Sequence, residues 1–66
     1  MAVAKIIEIT ATSEKSFEDA IEQGVQKADE SLHNIKGAWV DGQEVLVDAG
    51  KVTGYKVRLK VTFVLD

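Results

Sequence analysis

Apolar and polar positions follow three different periodicities along the chain, and each periodicity predicts one kind of element. In "VAKIIEITA", Val3 to Ala11, β-branched residues dominate and a turn-like "TSEKS" follows, which predicts a first strand. From Phe17 the apolar or small residues fall at Phe17, Ala20, Ile21, Gly24, Val25, Ala28, Leu32 and Ile35. That is the i, i+3, i+4, i+7 spacing of one helix face. Ser16 is placed to cap the first helical amides, with Asp19 three positions on to reach back to it. Glu18, Asp19 and Glu22 suit the positive end of the helix dipole. Gly37 is the predicted stop, because glycine takes the left-handed conformation past a helix end without steric penalty. Gly24, mid-helix on the apolar face, costs about 1 kcal/mol relative to Ala and so predicts close approach by another backbone.

After the helix, "AWVDGQEVLV" reads as a second strand bent at Asp41-Gly42, and "DAGK", Asp48 to Lys51, as a hairpin turn. The closing "VTGYKVRLKVTFVLD" alternates with Tyr55, Val57, Leu59, Val61, Phe63 and Leu65 on one face. The element order β-α-β-β predicts an α+β fold. A helix between the first two strands returns the chain to its starting edge, so those strands run parallel, while the hairpin makes the last two antiparallel. The simplest result is a three-stranded antiparallel or mixed sheet, order 1-3-2, with one long helix on its apolar face.

Length changes this picture by showing how little core is available. The 66 residues form a single domain, residues 1–66, and a chain of that size buries only roughly 60% of the surface its unfolded form exposes. With no Cys and one His there is no disulfide and no zinc cage within one chain, so subunit contacts are the expected source of further stability. Trp39, the only tryptophan, is read as an anchor at such a contact. The 45% hydrophobic and 29% charged composition is that of a globular domain. No stretch reaches the roughly 18 apolar residues of a membrane span, and "MAVAKIIEIT" carries charges where a signal peptide needs an apolar run. The expected location is cytoplasmic, with no membrane partner. A net charge of -3 and a pI near 5.0 argue against nucleic acid.

Charge is unevenly placed. Acids predominate through residue 36, whereas the final strand turns Lys56, Arg58 and Lys60 to the face opposite its apolar one. The plain reading is a solvated polar face; the sharper one is that these cations meet acids of another subunit or an anionic ligand. Asp41, Glu44 and Asp48 are the candidate metal ligands, although Asp41 and Glu44 share a face only if Gly42 makes a bulge. His33 projects off the apolar helix face without catalytic neighbours, and no nucleophile or acid–base pair is visible, so the expectation is not an enzyme.

The whole pattern, from "KIIEITATS" through "SFEDAIEQGVQKADESLHNIKG" to "YKVRLKVTFVLD", resembles the dodecin family. The resemblance covers nearly the full chain and implies a hollow homododecamer. In many members it implies flavins, riboflavin or its phosphate, stacked between subunits, and in some coenzyme A, in storage, buffering or quenching roles. Flavin-binding members carry a Trp-Phe-Glu-Val run after the helix, where this chain has Gly37, Ala38, Trp39 and Val40. The stacking position is thus Gly37, and Trp39 would share its face, displaced by roughly 6.5 to 7 Å. The family's later Arg-Gly-His run becomes Glu44, Val45 and Leu46, and its ring-bonding Gln becomes Lys56. Gly37, Trp39, Glu44 and Lys56 are therefore the positions to examine. The departures look more like a non-flavin branch that includes calcium-binding members, serving as an oligomeric store for a small molecule or ion. The alternative is a flavin-binding store that uses Trp39 as a displaced platform.

Overall fold

The computed structural model describes residues 3–65, so Asp66, the last residue of the predicted final strand, lies outside the described residues. Within them the elements are β1 (Val3–Ser13), α1 (Phe17–Leu32), β2 (Ile35–Asp48) and β3 (Lys51–Leu65). The sheet order is β1-β3-β2, as the pattern predicts, and both pairings are antiparallel. β1 and β2 consequently point the same way without touching as strands. β1 runs two residues further than expected, through the first part of "TSEKS", because Thr12 and Ser13 still find partners in Lys56 and Tyr55.

The helix starts where its cap says it should. Ser16 is extended, and its hydroxyl accepts from the Asp19 amide at 2.9 Å. Asp19, however, does not reach back to Ser16. Its Oδ2 accepts instead from the hydroxyl of Ser13 at 2.5 Å and from the side-chain amide of Gln23 at 2.6 Å. Asp19 thereby ties the end of β1 to the first turn of α1, and the buried Ser13 hydroxyl also accepts from the Lys15 amide.

The helix stops earlier than predicted, at Leu32, and Gly37 is a strand residue. His33 and Asn34 make the turn with φ of 57° and 51°; Asn visits positive φ more readily than most residues, whereas His33, with ψ of 163°, lies outside the left-handed well in backbone space that glycine favours. The Asn34 carbonyl then accepts from the Val64 amide, fixing the connection to β3. Ile35, assigned by periodicity to the helix face, belongs to β2 and still packs against the core.

That core is small and central. Val57, Leu59 and Val61 of β3 and Ala20 of α1 are fully buried, with Ile7, Ile9, Ala11, Phe17, Ile21 and Val25 packed around them. Gly24 does sit at a close approach, but to side chains: an added Cβ would lie 3.0 Å from the Ala11 Cβ and 3.3 Å from Leu59. The Phe17 ring meets Tyr55 edge to face, with centroids 5.1 Å apart.

Candidate functional site

The face of the sheet away from α1 collects every candidate ligand or metal residue named from the sequence except Asp48, which lies at the hairpin end. Antiparallel partners place their side chains on the same face, so the register reads out the surface directly. Gly37 pairs with Thr62, Trp39 with Lys60, Gly42 with Arg58 and Glu44 with Lys56. From β1, Ile6 joins the Thr62 rung, Glu8 the Lys60 rung, Thr10 the Arg58 rung and Thr12 the Lys56 rung.

Two bulges in β2 make this arrangement. One lies between Ile35 and Gly37 and the other between Val40 and Gly42. The first reverses which face each position uses, so Ile35 enters the core while Gly37 and Trp39, an even number of positions later, point away from it. The second leaves Asp41 as the extra residue. It puts Asp41 and Glu44 on one face despite their odd spacing, the condition set by the sequence.

The cations are matched within the chain. Arg58 Nε donates to Asp41 Oδ2 at 3.1 Å, Lys60 Nζ is 3.9 Å from Asp41 Oδ1, and Lys56 Nζ is 3.8 Å from Glu44 Oε1. Gly42 lets the Arg58 guanidinium lie across the bulge, since a Cβ there would meet Nη2 at 3.3 Å. A shallow cleft of about 130 Å³ opens beside these pairs, lined by Gly42, Gln43, Glu44, Lys56 and Arg58. Asp41 and Glu44 are thus brought together with cations, and among the described residues no group of three or more His, Cys, Asp or Glu side chains could hold a metal ion. The three acidic candidates do not converge within one chain.

The flavin-position residues are also spread out. Gly37 and Lys56 stand six rungs apart on β3, about 20 Å along the sheet. Nothing lies within 4 Å of where a side chain at Gly37 would begin. Trp39 is 68% exposed beside that open rung.

Two features escaped the sequence reading. Ile6 is exposed on the same face as Trp39, so the cation row ends at Lys60 and gives way to an apolar side chain at the Thr62 rung. Its signal was the adjacent Ile6-Ile7 pair in β1, which loads both faces of a strand. The second is a cluster of exposed valines on the hairpin, Val45, Val47 and Val52. No helix among the described residues is long and apolar enough to cross a membrane.

Comparisons with known proteins agree with one another. The family description Dodecin matches residues 3–66. Calcium dodecin from Mycobacterium tuberculosis is 44% identical over 64 residues, covering 96% of this chain and 89% of that protein. A crystal structure of calcium dodecin from the same organism, described as having a novel calcium-binding site, matches with a TM-score of 0.84 at 38% identity over 97% of this chain and 91% of that one. Dodecin from Streptomyces davaonensis matches with a TM-score of 0.93 at 28% identity over 98% and 96%. Of these two structures, the better backbone match carries the lower identity.

Proposed function

The chain belongs to the dodecin family, and from that premise we propose that it is a homododecameric binding and storage protein for a small molecule or ion. In this reading it lacks the ordinary flavin stack and has no catalytic role. The observation that carries it is the Gly37 rung, where the position of the family's stacking ring is open space.

The residues present do not fit the ordinary flavin site. Gly37 offers no ring, and Lys56, at the hydrogen-bonding position, is engaged with Glu44. Each lost aromatic contact removes about 0.5 to 1.5 kcal/mol beyond area burial, and the polar terms add to that. One chain alone does not fit calcium either. Calcium takes about six to eight oxygens, whereas Asp41 and Glu44 are held by Arg58, Lys60 and Lys56. The ion reading rests on the 44% identity to calcium dodecin. It requires symmetry to bring copies of Asp41, Glu44 or Asp48 together from several subunits.

A second reading, flavin storage with Trp39 as the platform, is favoured by one observation. The indole is exposed on the same face as the open Gly37 rung. Native mass spectrometry of the purified protein, with visible absorbance on the same sample, separates the two. A colourless dodecamer is expected. A yellow dodecamer carrying flavin mass would establish the second reading, and a monomeric mass by light scattering would end both.

A further inference from the structure

Resting on that self-assembly, we infer that the β2–β3 hairpin arm of one copy docks in the groove between β1 and α1 of a second copy, a head-to-tail contact. At one end of the sheet Ser13 closes β1 opposite Tyr55, and Phe17, the first residue of α1, packs on the Tyr55 ring. The hairpin runs on past both. Beyond the Leu46–Gly54 rung, where Ser13 of β1 still lies against Gly54, neither a third strand nor a helix pairs with the hairpin out to the turn at Ala49–Gly50. Its side chains are nevertheless apolar: Val45 and Leu46 at successive positions on the two faces, then Val47 and Val52 nearer the turn, 59% and 53% exposed. A two-stranded ribbon is marginal in water by itself, and an exposed apolar cluster of this kind marks a contact surface.

The receiving surface lies on the far edge of the sheet, out of reach of the arm's own chain because β3 separates β1 from β2. A groove of about 350 Å³ runs there, its apolar lining Ile9, Ala11, Gly24 and Ala28 and its polar lining Thr10, Thr12, Gln23 and Lys27. Gly24 forms its floor, packed closely over Ala11 and Leu59. The outer backbone groups of β1 face no partner strand, so an extended segment has hydrogen bonds to gain beside the apolar lining.

Charge favours the same match. Lys27 is the charged residue of the groove, held only by an exposed pair with Glu30 at 3.7 Å. Asp48, at the end of the arm, has no ion pair among the described residues. The cleft at Gly42 is lined by charge and offers the valines nothing. A contact between two different patches propagates from copy to copy and closes into a ring when its rotation allows, which a symmetric arm-to-arm contact does not do.

The chain has no cysteine, so disulfide trapping is clean. Chains carrying Ala28→Cys and chains carrying Val47→Cys or Val52→Cys, distinguishable by mass, are co-expressed and mildly oxidised. The expected product is a disulfide between an Ala28→Cys chain and an arm-variant chain, with little from any variant alone. Homodimers of the arm variants would overturn the inference in favour of an arm-to-arm contact. An intact assembly with no cross-link for either pair would overturn it outright. A monomeric native mass would instead remove the self-assembly on which it rests.

Discussion

Val57 and Val52 are the same residue five positions apart on one strand, and one is fully buried while the other is 53% exposed. The difference lies in what covers the strand and not in the strand. At Val57 the ladder has β1 on one side, β2 on the other and α1 across its face; at Val52 only β2 remains. The chain therefore uses its apolar residues in two ways: part closes a core within the subunit, and part stays exposed on the hairpin. Exposed apolar surface in a chain this small is a statement about assembly.

The largest expected effect tests the covered half. Leu59→Ala removes a fully buried side chain from beneath Gly24 and is expected to cost about 2 to 5 kcal/mol in chemical denaturation, enough to unfold so thin a core. The mirror experiment on the arm, Val52→Asp, is expected to leave helical circular dichroism near the parent value while native mass falls to smaller species. Unfolding without prior dissociation would place Val52 in the subunit's own stability. Between them lies Gly24→Ala, where a gain of about 1 kcal/mol in helix propensity opposes an approach of 3.0 Å to the Ala11 Cβ. Because Ala11 is a short side chain fixed to a strand, net destabilisation in thermal melts is expected.

Trp39 sharpens the comparison without a mutation. Its emission in the assembly should lie to the blue of that in dissociated but folded subunits if a neighbour covers the indole. Equal emission would leave the ring facing solvent or a ligand cavity. The smallest effect belongs to the charged rungs. Asp41→Asn breaks exposed pairs with Arg58 and Lys60 and is expected to cost about 0 to 1 kcal/mol. A much larger loss in assembled protein than in subunits would show that these rungs are buried between copies.

The parts of the fold legible in the sequence are those governed by one simple period. The alternation of Tyr55 through Phe63 and the helical spacing from Phe17 to Val25 each find their side chains where expected. The Ser16 cap and the turn at Ala49–Gly50, with φ of 51° and 77°, were local chemistry and equally readable. The misreadings fall where two weak signals compete. Ile35 continues the helical period by coincidence, and the His33–Asn34 turn that ends the helix carries no glycine. Asp19 had a choice between Ser16 and Ser13, and only tertiary geometry supplied Ser13.

The candidate site was less legible for a related reason. Residue types at Gly37, Asp41, Glu44 and Lys56 could be named, but their grouping depends on two bulges that shift phase without any compositional mark at Lys36. Which acids would neutralise the cation row was likewise hidden, since Asp41 serves both Arg58 and Lys60 only from its bulged position.

The bulge at Asp41 also sets how this chain can change length. Substitutions around it touch exposed side chains and alter little. Removing Asp41 would restore strict alternation with Val40 still opposite Leu59 and Gly42 still opposite Arg58, so no face is exchanged and the loss is the carboxylate that meets Arg58 and Lys60. A single deletion is thus accommodated at Asp41 or Lys36, the two extra residues, whereas one at a paired position of β2 exchanges the faces on one side of it. Natural variation in β2 should accordingly place its single-residue gaps at these two bulges and leave the paired positions free of them.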